Sequence, residues 1–292
     1  MEKFIADKKG KLSKLALNNI SDLSYTALMR ALRKKDVKIN GKRTGVDVTL
    51  DVGDSVEIYY TVNEITRYTE LFCDQNVLVI NKKKGFTSED VFLEIQSKYL
   101  GAKFIHRLDR NTDGIMIFAL NESSETELLA GFKNRTFDKI YHTTVKGVFT
   151  KKQGVLTAFL LKDKDNAIVK IFDNQVKGSV PIKTGYKVLE ESKGISKLEV
   201  VLYTGKTHQI RAHLAHVGHP VVGDGKYGDY ALNKQMNLNT QMLTAYQLTL
   251  HFDSQSPLYY LNGKIFNFSI DICRKICYNI EAEANQKSEV NL

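Results

Sequence analysis

The chain has 292 residues, 42% of them hydrophobic and 10% aromatic, with a formal net charge of +9. That length suits one large domain with a small one beside it, or two medium ones. No window reads as about 20 consecutive apolar residues, and no apolar run follows the charged start MEKFIADKKGKLSK, so neither a membrane-spanning helix nor a secretory leader is expected. Three cysteines, Cys73, Cys273 and Cys277, are too few for a disulfide framework and fit a reducing cytoplasm. The charge is unevenly spread: residues 1–43 hold twelve Lys or Arg against four Asp or Glu, a local balance of +8. A basic face confined to one segment points to a polyanionic partner, nucleic acid first.

Residues 12–60 read as a small module. Leu12, Leu15, Leu17 and Ile20 begin one apolar stripe, and Tyr25, Leu28, Met29 and Leu32 form a second with helical spacing. Arg30, Arg33 and Lys34 project away from the second stripe, and Lys35 flanks it. Val37 and Ile39 alternate as in a strand, Asn40-Gly41 signals a hairpin turn, and Val48, Leu50 and Val52 alternate again. After a Gly53-Asp54 turn, Val56, Ile58 and Tyr60 make a closing strand. This order of helix, basic helix, hairpin and strand resembles an S4 RNA-binding domain. Val37 to Lys42 matches that family's V-x-V-N-G-K hairpin, with Ile39 for the second Val, and Gly53 to Val56 matches its G-D-x-V ending. The opening, Gly10 to Leu15, lacks the Arg-Leu-Asp start common in the family. The resemblance implies RNA contacts from Arg30, Arg33, Lys34, Lys35, Lys38 and Lys42; a generic α/β adapter with a solvated basic helix is the plainer alternative.

Residues 61–72 read as a connector, and residues 73–279 as a second domain. Val77 to Ile80 and Ile115 to Leu120 are apolar runs of strand length, and the capping-box pattern Ser124 to Glu127 opens a helix through about Asn134. Strands are expected at 137–149, 154–162, 166–173, 182–189 and 197–203. With one clear helix among them, this predicts an α+β fold with a mixed, largely antiparallel sheet rather than repeated βαβ units. The polar tail 280–292 reads as disordered.

Three segments carry candidate chemistry. In Phe104 to Gly114, an extended chain over 105–109 would point Arg107 and Asp109 to one face, where a guanidinium favours an ionised carboxylate fit for a nucleophile or base. On those residues alone, a structural Arg–Asp pair is the plainer account. In Gly205 to Pro220, Thr207 is a plausible N-cap, and Ile210, Leu214 and Val217 form the buried stripe of a short helix stopped by Gly218 and Pro220. That helix presents Arg211 together with His208, away from the stripe. Its histidines invite a metal reading, but His208 and His213 lie about 140° apart, His219 is past the helix end, and no obvious carboxylate joins His213 and His216. In Lys139 to Gly147, a strand would place Lys139, Tyr141 and Thr143 on one face, where a tyrosine can stack on an unpaired base. In isolation, a sheet-surface tyrosine is the default.

Together the segments resemble the RluA-type pseudouridine synthase family. Its motif H-R-L-D-x-x-T-S-G appears as His106 to Gly114, with Asp113 for Ser, and its K-x-Y as Lys139 and Tyr141. Its G-R-T-H-Q-I-R-x-H-x-x-x-x-G-H-P-x-x-G-D appears as Gly205 to Asp224 with Lys206 for Arg, followed by Lys226-Tyr227-Gly228. Its D-x-x-x-L-V-I-N-K-P-x-G appears as Asp74 to Gly85, with Lys83 for Pro and Lys84 where a small residue is usual. The resemblance spans about residues 70–270. It implies an enzyme that breaks the C1′–N1 bond of a uridine, turns the uracil and joins C1′ to C5. Asp109 would be the essential carboxylate, Tyr141 would pack on the uracil, and Arg211 would orient Asp109. Arg107, His106, Lys139 and His208 would meet substrate. It implies no cofactor and no metal. Family members with an S4 module usually act on ribosomal RNA, so large-subunit rRNA is expected over tRNA, with a cytoplasmic monomer as the default. Two other readings are a non-catalytic RNA-binding or ribosome-assembly factor and a metal-dependent hydrolase.

Overall fold

The computed structural model describes residues 1–20, 23, 25–60, 66–163 and 167–268. Cys273, Cys277 and the expected tail lie outside them. The chain divides into two units, Met1–Thr66 and Arg67–Leu292.

The first unit runs β1 (Glu2–Ile5), β2 (Gly10–Lys11), α1 (Leu12–Asn19), α2 (Tyr25–Arg33), β3 (Val37–Ile39), β4 (Lys42–Thr44), β5 (Thr49–Leu50) and β6 (Ser55–Ile58). It starts ahead of the expected boundary at residue 12, because β1 pairs with β6 as the edge of a four-stranded sheet ordered β1-β6-β3-β4, while β2 pairs with β5. Leu12, Leu15, Leu28, Leu32, Val37, Val56 and Ile58 fill the core, as the two stripes require. Asn40 and Gly41 both adopt positive φ, 49° and 79°, the backbone of a tight hairpin turn between β3 and β4. Val52 departs from the expected alternation: it lies in the turn before β6 and is exposed. Arg30, Arg33, Lys34, Lys35 and Lys42 are exposed and Lys38 half-buried.

The second unit runs β7 (Tyr68–Cys73), β8 (Val77–Lys82), α3 (Ser88–Lys98), β9 (Asp113–Ala119), α4 (Glu122–Asn134), β10 (Asp138–Lys146), β11 (Gln153–Asp163), β12 (Ile168–Phe172), β13 (Val180–Ser192), β14 (Ile195–Leu202), α5 (Gln209–His216), α6 (Tyr230–Gln235), β15 (Leu243–Thr249) and β16 (Ile265–Asn267). The expected connector therefore ends earlier than residue 72, since β7 already belongs to this unit's sheet. The ten strands follow the order β12-β11-β13-β14-β10-β15-β9-β8-β7, with β16 beside β15. Only β15 and β9 run parallel among the described pairs, so the fold is α+β with a mixed, largely antiparallel sheet.

β8 and β9 read as unbroken apolar runs because both faces are covered. Val77, Val79, Ile115 and Ile117 pack with Leu128 of α4, while Leu78, Ile80, Met116 and Phe118 pack with Val91 and Ile95 of α3. Helix α3 escaped the sequence reading, although Thr87 and Asp90 form a reciprocal capping box at its start. For α4 the cap is Asn121, whose Oδ1 accepts the Ser124 N–H, so the helix begins at Glu122 rather than at the expected Ser124 box.

Candidate active site

The segment leading into β9 is held by buried polar side chains rather than by a strand ladder. Ser88 Oγ, at the start of α3, accepts the Leu108 N–H and donates to the Leu108 carbonyl, both at 2.9 Å. Lys82, fully buried at the end of β8, donates its ammonium to the carbonyls of Lys83, Phe86 and Arg110 at 3.1, 2.8 and 3.1 Å. Burial pulls that amine down to about 8, against the pull of Asp113 and Asp109. Gln241 Nε2 donates to Thr112 Oγ1 at 2.8 Å, and the Thr112 N–H closes a turn onto the Asp109 carbonyl. Gly114 follows at φ 117°, and a Cβ there would meet the Ala245 carbonyl oxygen at 2.2 Å. Only glycine allows β9 to approach β15 this closely.

Asp109 emerges from this clamp to meet Arg211. The Arg211 guanidinium donates Nη1 to Asp109 Oδ2 at 2.7 Å. Its Nε and Nη2 donate to Asp224 Oδ2 and Oδ1 at 2.6 and 2.8 Å, a two-pronged pair in the interior. Burial pushes the Asp224 carboxyl up, but the Arg211 hydrogen bonds and charge, with the N–H groups of Lys226 and Tyr227, outweigh it and hold the group below its ordinary range. The arrangement corrects the reading from spacing alone, which set Arg107 beside Asp109: Arg107 is exposed and pairs with Glu89 at 3.3 Å, and the guanidinium at Asp109 is that of Arg211, 102 residues away, the partner that the family resemblance implied.

His208 joins the pair as expected, with Nε2 4.0 Å from Asp109 Oδ2 and Nδ1 2.9 Å from the Tyr227 hydroxyl. Burial is the main cause of its lowered pKa, and Arg211 adds to it against the pull of Asp109. It also replaces Thr207 as the N-cap of α5, at φ 53° and without a side-chain cap. Gln209, the first residue of the helix, ties down the turn that leads into it: its Oε1 accepts the Lys206 N–H at 3.2 Å and the Thr204 hydroxyl at 2.9 Å. Ile210 and Leu214 are buried against β10 and β14, but Val217 is exposed, because α5 ends at His216. The other three histidines have separate partners: Thr184 for His213, Asp173 for His216 and the Lys146 carbonyl for His219.

Tyr141 lies on β10, where the register against β15 shifts between Ile140 and Tyr141. Such a bulge re-aims a side chain. Burial first, then the charge of Asp109, push its hydroxyl above the ordinary 10, so it stays protonated. Lys139 donates to the Phe137 carbonyl at 2.9 Å and lies 5.8 Å from the Phe132 ring. His106 stacks on Phe132 at 4.4 Å, and its Nε2 accepts the Ile117 N–H at 3.1 Å. Burial, with Lys139 nearby, brings it down to about 3. His106 is thus a neutral fastener of the β9 edge, and substrate can reach only the rest of its ring. Tyr141, Lys139, Phe132 and His106 line one cleft of about 530 Å³ together with Asp109, His208 and Arg211. Asp109 is the only carboxylate among its described lining residues, facing Arg107, Lys133, Arg135, Lys139, Lys206 and Arg211. A single acid among six bases suits a phosphate-rich substrate.

An RNA pseudouridylate synthase family model matches residues 76–216, which contain Asp109, Tyr141 and Arg211. Ribosomal large subunit pseudouridine synthase C of Vibrio parahaemolyticus serotype O3:K6 is 28% identical over 275 residues, covering 84% of this chain and 86% of the relative. The dual-specificity RNA pseudouridine synthase RluA of Yersinia pestis is 29% identical over 192 residues, 59% of this chain and 89% of the relative. The chain belongs to the RluA-type pseudouridine synthase family. It is therefore an RNA-modifying isomerase, and the reading as a non-catalytic binding factor gives way. Among solved structures, human RNA pseudouridylate synthase domain containing 4 aligns with a TM-score of 0.53 at 25% identity, over 62% of this chain and 83% of that one. Human RNA pseudouridylate synthase domain containing 1 aligns at 0.59 and 23% identity, over 74% and 96%, which supports the synthase fold.

Sequence reasoning did not single out Asp224, Tyr227, Lys82, Ser88 or Gln209. Two signals were present. Asp224 and Tyr227 sit in the G-D and K-Y-G stretches, and Lys82 is a charged residue closing a strand that opens on four apolar residues, Val77 to Ile80. The departures from the family pattern are also informative: Lys84 and Asp113 face each other at 3.8 Å, and Asp113 Oδ1 accepts the Thr244 hydroxyl at 2.7 Å. Each unusual residue is the partner of the other.

Proposed function

We propose that this pseudouridine synthase isomerises uridines of large-subunit ribosomal RNA with Asp109 as its catalytic carboxylate. The observation that carries the reading is the Asp109–Arg211–Asp224 chain at the base of a cleft otherwise lined by cations. Arg211 spends two of its donors on Asp224 and so is fixed before it reaches Asp109, which orients one Asp109 oxygen and leaves the other for the ribose. Asp109 either attacks C1′ as the C1′–N1 bond breaks, its own bond to C1′ breaking when C1′ joins C5, or removes a ribose proton as the C1′–N1 bond breaks and returns it once C1′ has joined C5. The uracil turns, C1′ joins C5, and the C5 proton leaves to solvent. Tyr141, protonated and half-buried, packs on the uracil and assists that last proton step. Arg107, held by a surface pair with Glu89, is available to fill the place of the extruded base, whose unstacking costs a few kcal/mol. His208 and Lys139 line the approach.

The first unit serves as an S4-like RNA-binding module. Its exposed Arg30, Arg33, Lys34, Lys35 and Lys42, with half-buried Lys38, suit phosphate contacts that set affinity and register. Ribosomal RNA is favoured over tRNA because the Vibrio relative that matches most of the chain is named for the large ribosomal subunit, whereas the dual-specificity relative matches 59% of it. The enzyme acts as a cytoplasmic monomer. The test is tritium release from rRNA transcripts labelled at uracil C5. Wild type should release tritium and Asp109→Ala should not, while both bind RNA; release by Asp109→Ala would remove Asp109 from the chemistry.

A further inference from the structure

An exposed aromatic stands at the mouth of the cleft with no part in the core. Tyr203 follows the last residue of β14, lines the cleft and keeps 42% of its surface exposed. Lys183 Nζ lies 4.8 Å from its ring centroid. The ring rests beside Gly185, where a Cβ would come within 3.1 Å of Tyr203 Cε2, so the glycine makes room for it. The backbone next to the ring is firmly held. Thr204 Oγ1 accepts the Lys183 N–H at 2.9 Å and donates to buried Gln209, whose Nε2 donates to the Lys183 carbonyl and to Thr184 Oγ1. The ring is therefore presented on a rigid base.

Its surroundings say what it presents to. Lys206 lines the cleft with Tyr203, while Lys183 is exposed and reaches the Tyr203 ring from the neighbouring strand β13; among the described residues, neither lysine has a carboxylate partner. A solvent-facing Tyr–Lys contact at a strand end is ordinary by itself. Here, however, it opens onto the cleft that must admit an extruded uridine, amid unpaired cations. A flat ring on a fixed backbone, flanked by ammonium groups, is the combination that holds single-stranded nucleic acid: the ring takes a base and the cations its phosphates.

We infer that Tyr203 is a stacking platform for the nucleobase next to the target uridine, with Lys183 and Lys206 taking the adjoining phosphates. This rests on the RNA substrate assigned to the cleft. The subsite holds the strand as it bends toward Asp109 and tolerates any base, because every base has a π-face. It acts on binding and not on the isomerisation step.

The test uses the full chain and a stem-loop RNA with one loop uridine, carrying 2-aminopurine either 5′ or 3′ of it. Binding to wild type should quench 2-aminopurine at one of the two positions, Tyr203→Phe should keep the quench and Tyr203→Ala should lose it, with unchanged thermal melting. In tritium release, Tyr203→Ala should raise KM roughly 5- to 150-fold with kcat within about twofold. Quenching does not need turnover, so an RNA-bound but inactive wild type would count against the catalytic reading alone. Quenching at neither position, or an identical quench with Tyr203→Ala, would overturn the platform.

Discussion

Asp224→Asn isolates the electrostatic anchor of the site. The change keeps the side chain's shape but removes its charge at a position whose side chain is 0% exposed. Wild-type Asp224 accepts four hydrogen bonds: two from Arg211, at 2.6 and 2.8 Å, and two from the N–H groups of Lys226 and Tyr227, at 2.8 and 3.1 Å. An asparagine has one oxygen, so its NH₂ stands either in the place of Oδ2, against Arg211 Nε, or in the place of Oδ1, against Arg211 Nη2 and both backbone N–H groups, in each case a contact between donors. Breaking a buried pair from one side costs about 3–5 kcal/mol. For a unit of this size that lowers Tm by roughly 6–20 °C. Arg211 then keeps only Asp109 as a carboxylate partner and can swing with it, and a displacement of about 1 Å at the reacting group costs on the order of 100-fold in rate. Thermal unfolding and single-turnover tritium release measure the two effects separately. Wild-type Tm and rate in the variant would show that Arg211 is held by something else. A lower Tm with an unchanged rate per folded molecule would leave Asp224 a structural role and remove it from the positioning of Asp109.

Three further outcomes are expected. His106 and His213, brought by burial to about 3 and about 4 from 6.5, bind a proton only on unfolding as pH falls from about 6.5 to about 4. Their contribution is complete above the unfolded value and is lost toward acid, at up to about 1.4 kcal/mol per pH unit each. Urea titrations between pH 7 and 4.5 should show this slope, to which the lowered His142 and His208 add in the same direction, His213→Gln should reduce it, and a flat profile contradicts it. Replacing Lys84 by Ala and Asp113 by Ser, singly and together, should give a coupling of about 0.5 kcal/mol, as for a partly exposed pair; strict additivity would mean that the two departures are unrelated. Raising salt from about 50 to about 200 mM should weaken RNA binding by orders of magnitude, and neutralising Arg30, Arg33, Lys34 and Lys35 should flatten that dependence by close to one unit of slope for each phosphate they neutralise.

Much of the molecule was legible in the sequence because it is decided within a few residues. The stripes of α1 and α2, the Asn40-Gly41 turn, the doubly covered runs of β8 and β9 and the Gly218 stop of α5 depend on local dihedral preference and on a period of 2 or 3.6. The motifs that hold Asp109, Tyr141 and Arg211 were recognisable for the same reason, as short strings of fixed spacing. What the sequence left open is pairing at a distance. Spacing alone set Arg107 beside Asp109, two residues on, yet Arg107 turns to Glu89, and the guanidinium that Asp109 takes comes from Arg211 on a helix beyond β14, which the family resemblance implied and local spacing did not. Asp224, the carboxylate that fixes that guanidinium, lies past the end of the same helix and shows its role only once the loop folds back. The parallel contact of β9 with β15, the covering of the β9 edge by His106 and the three carbonyls gathered on Lys82 are likewise set by strand order. Local rules say which way a backbone bends; which side chains then share a buried space depends on the whole sheet, because an ion pair stabilises only where packing has already excluded water.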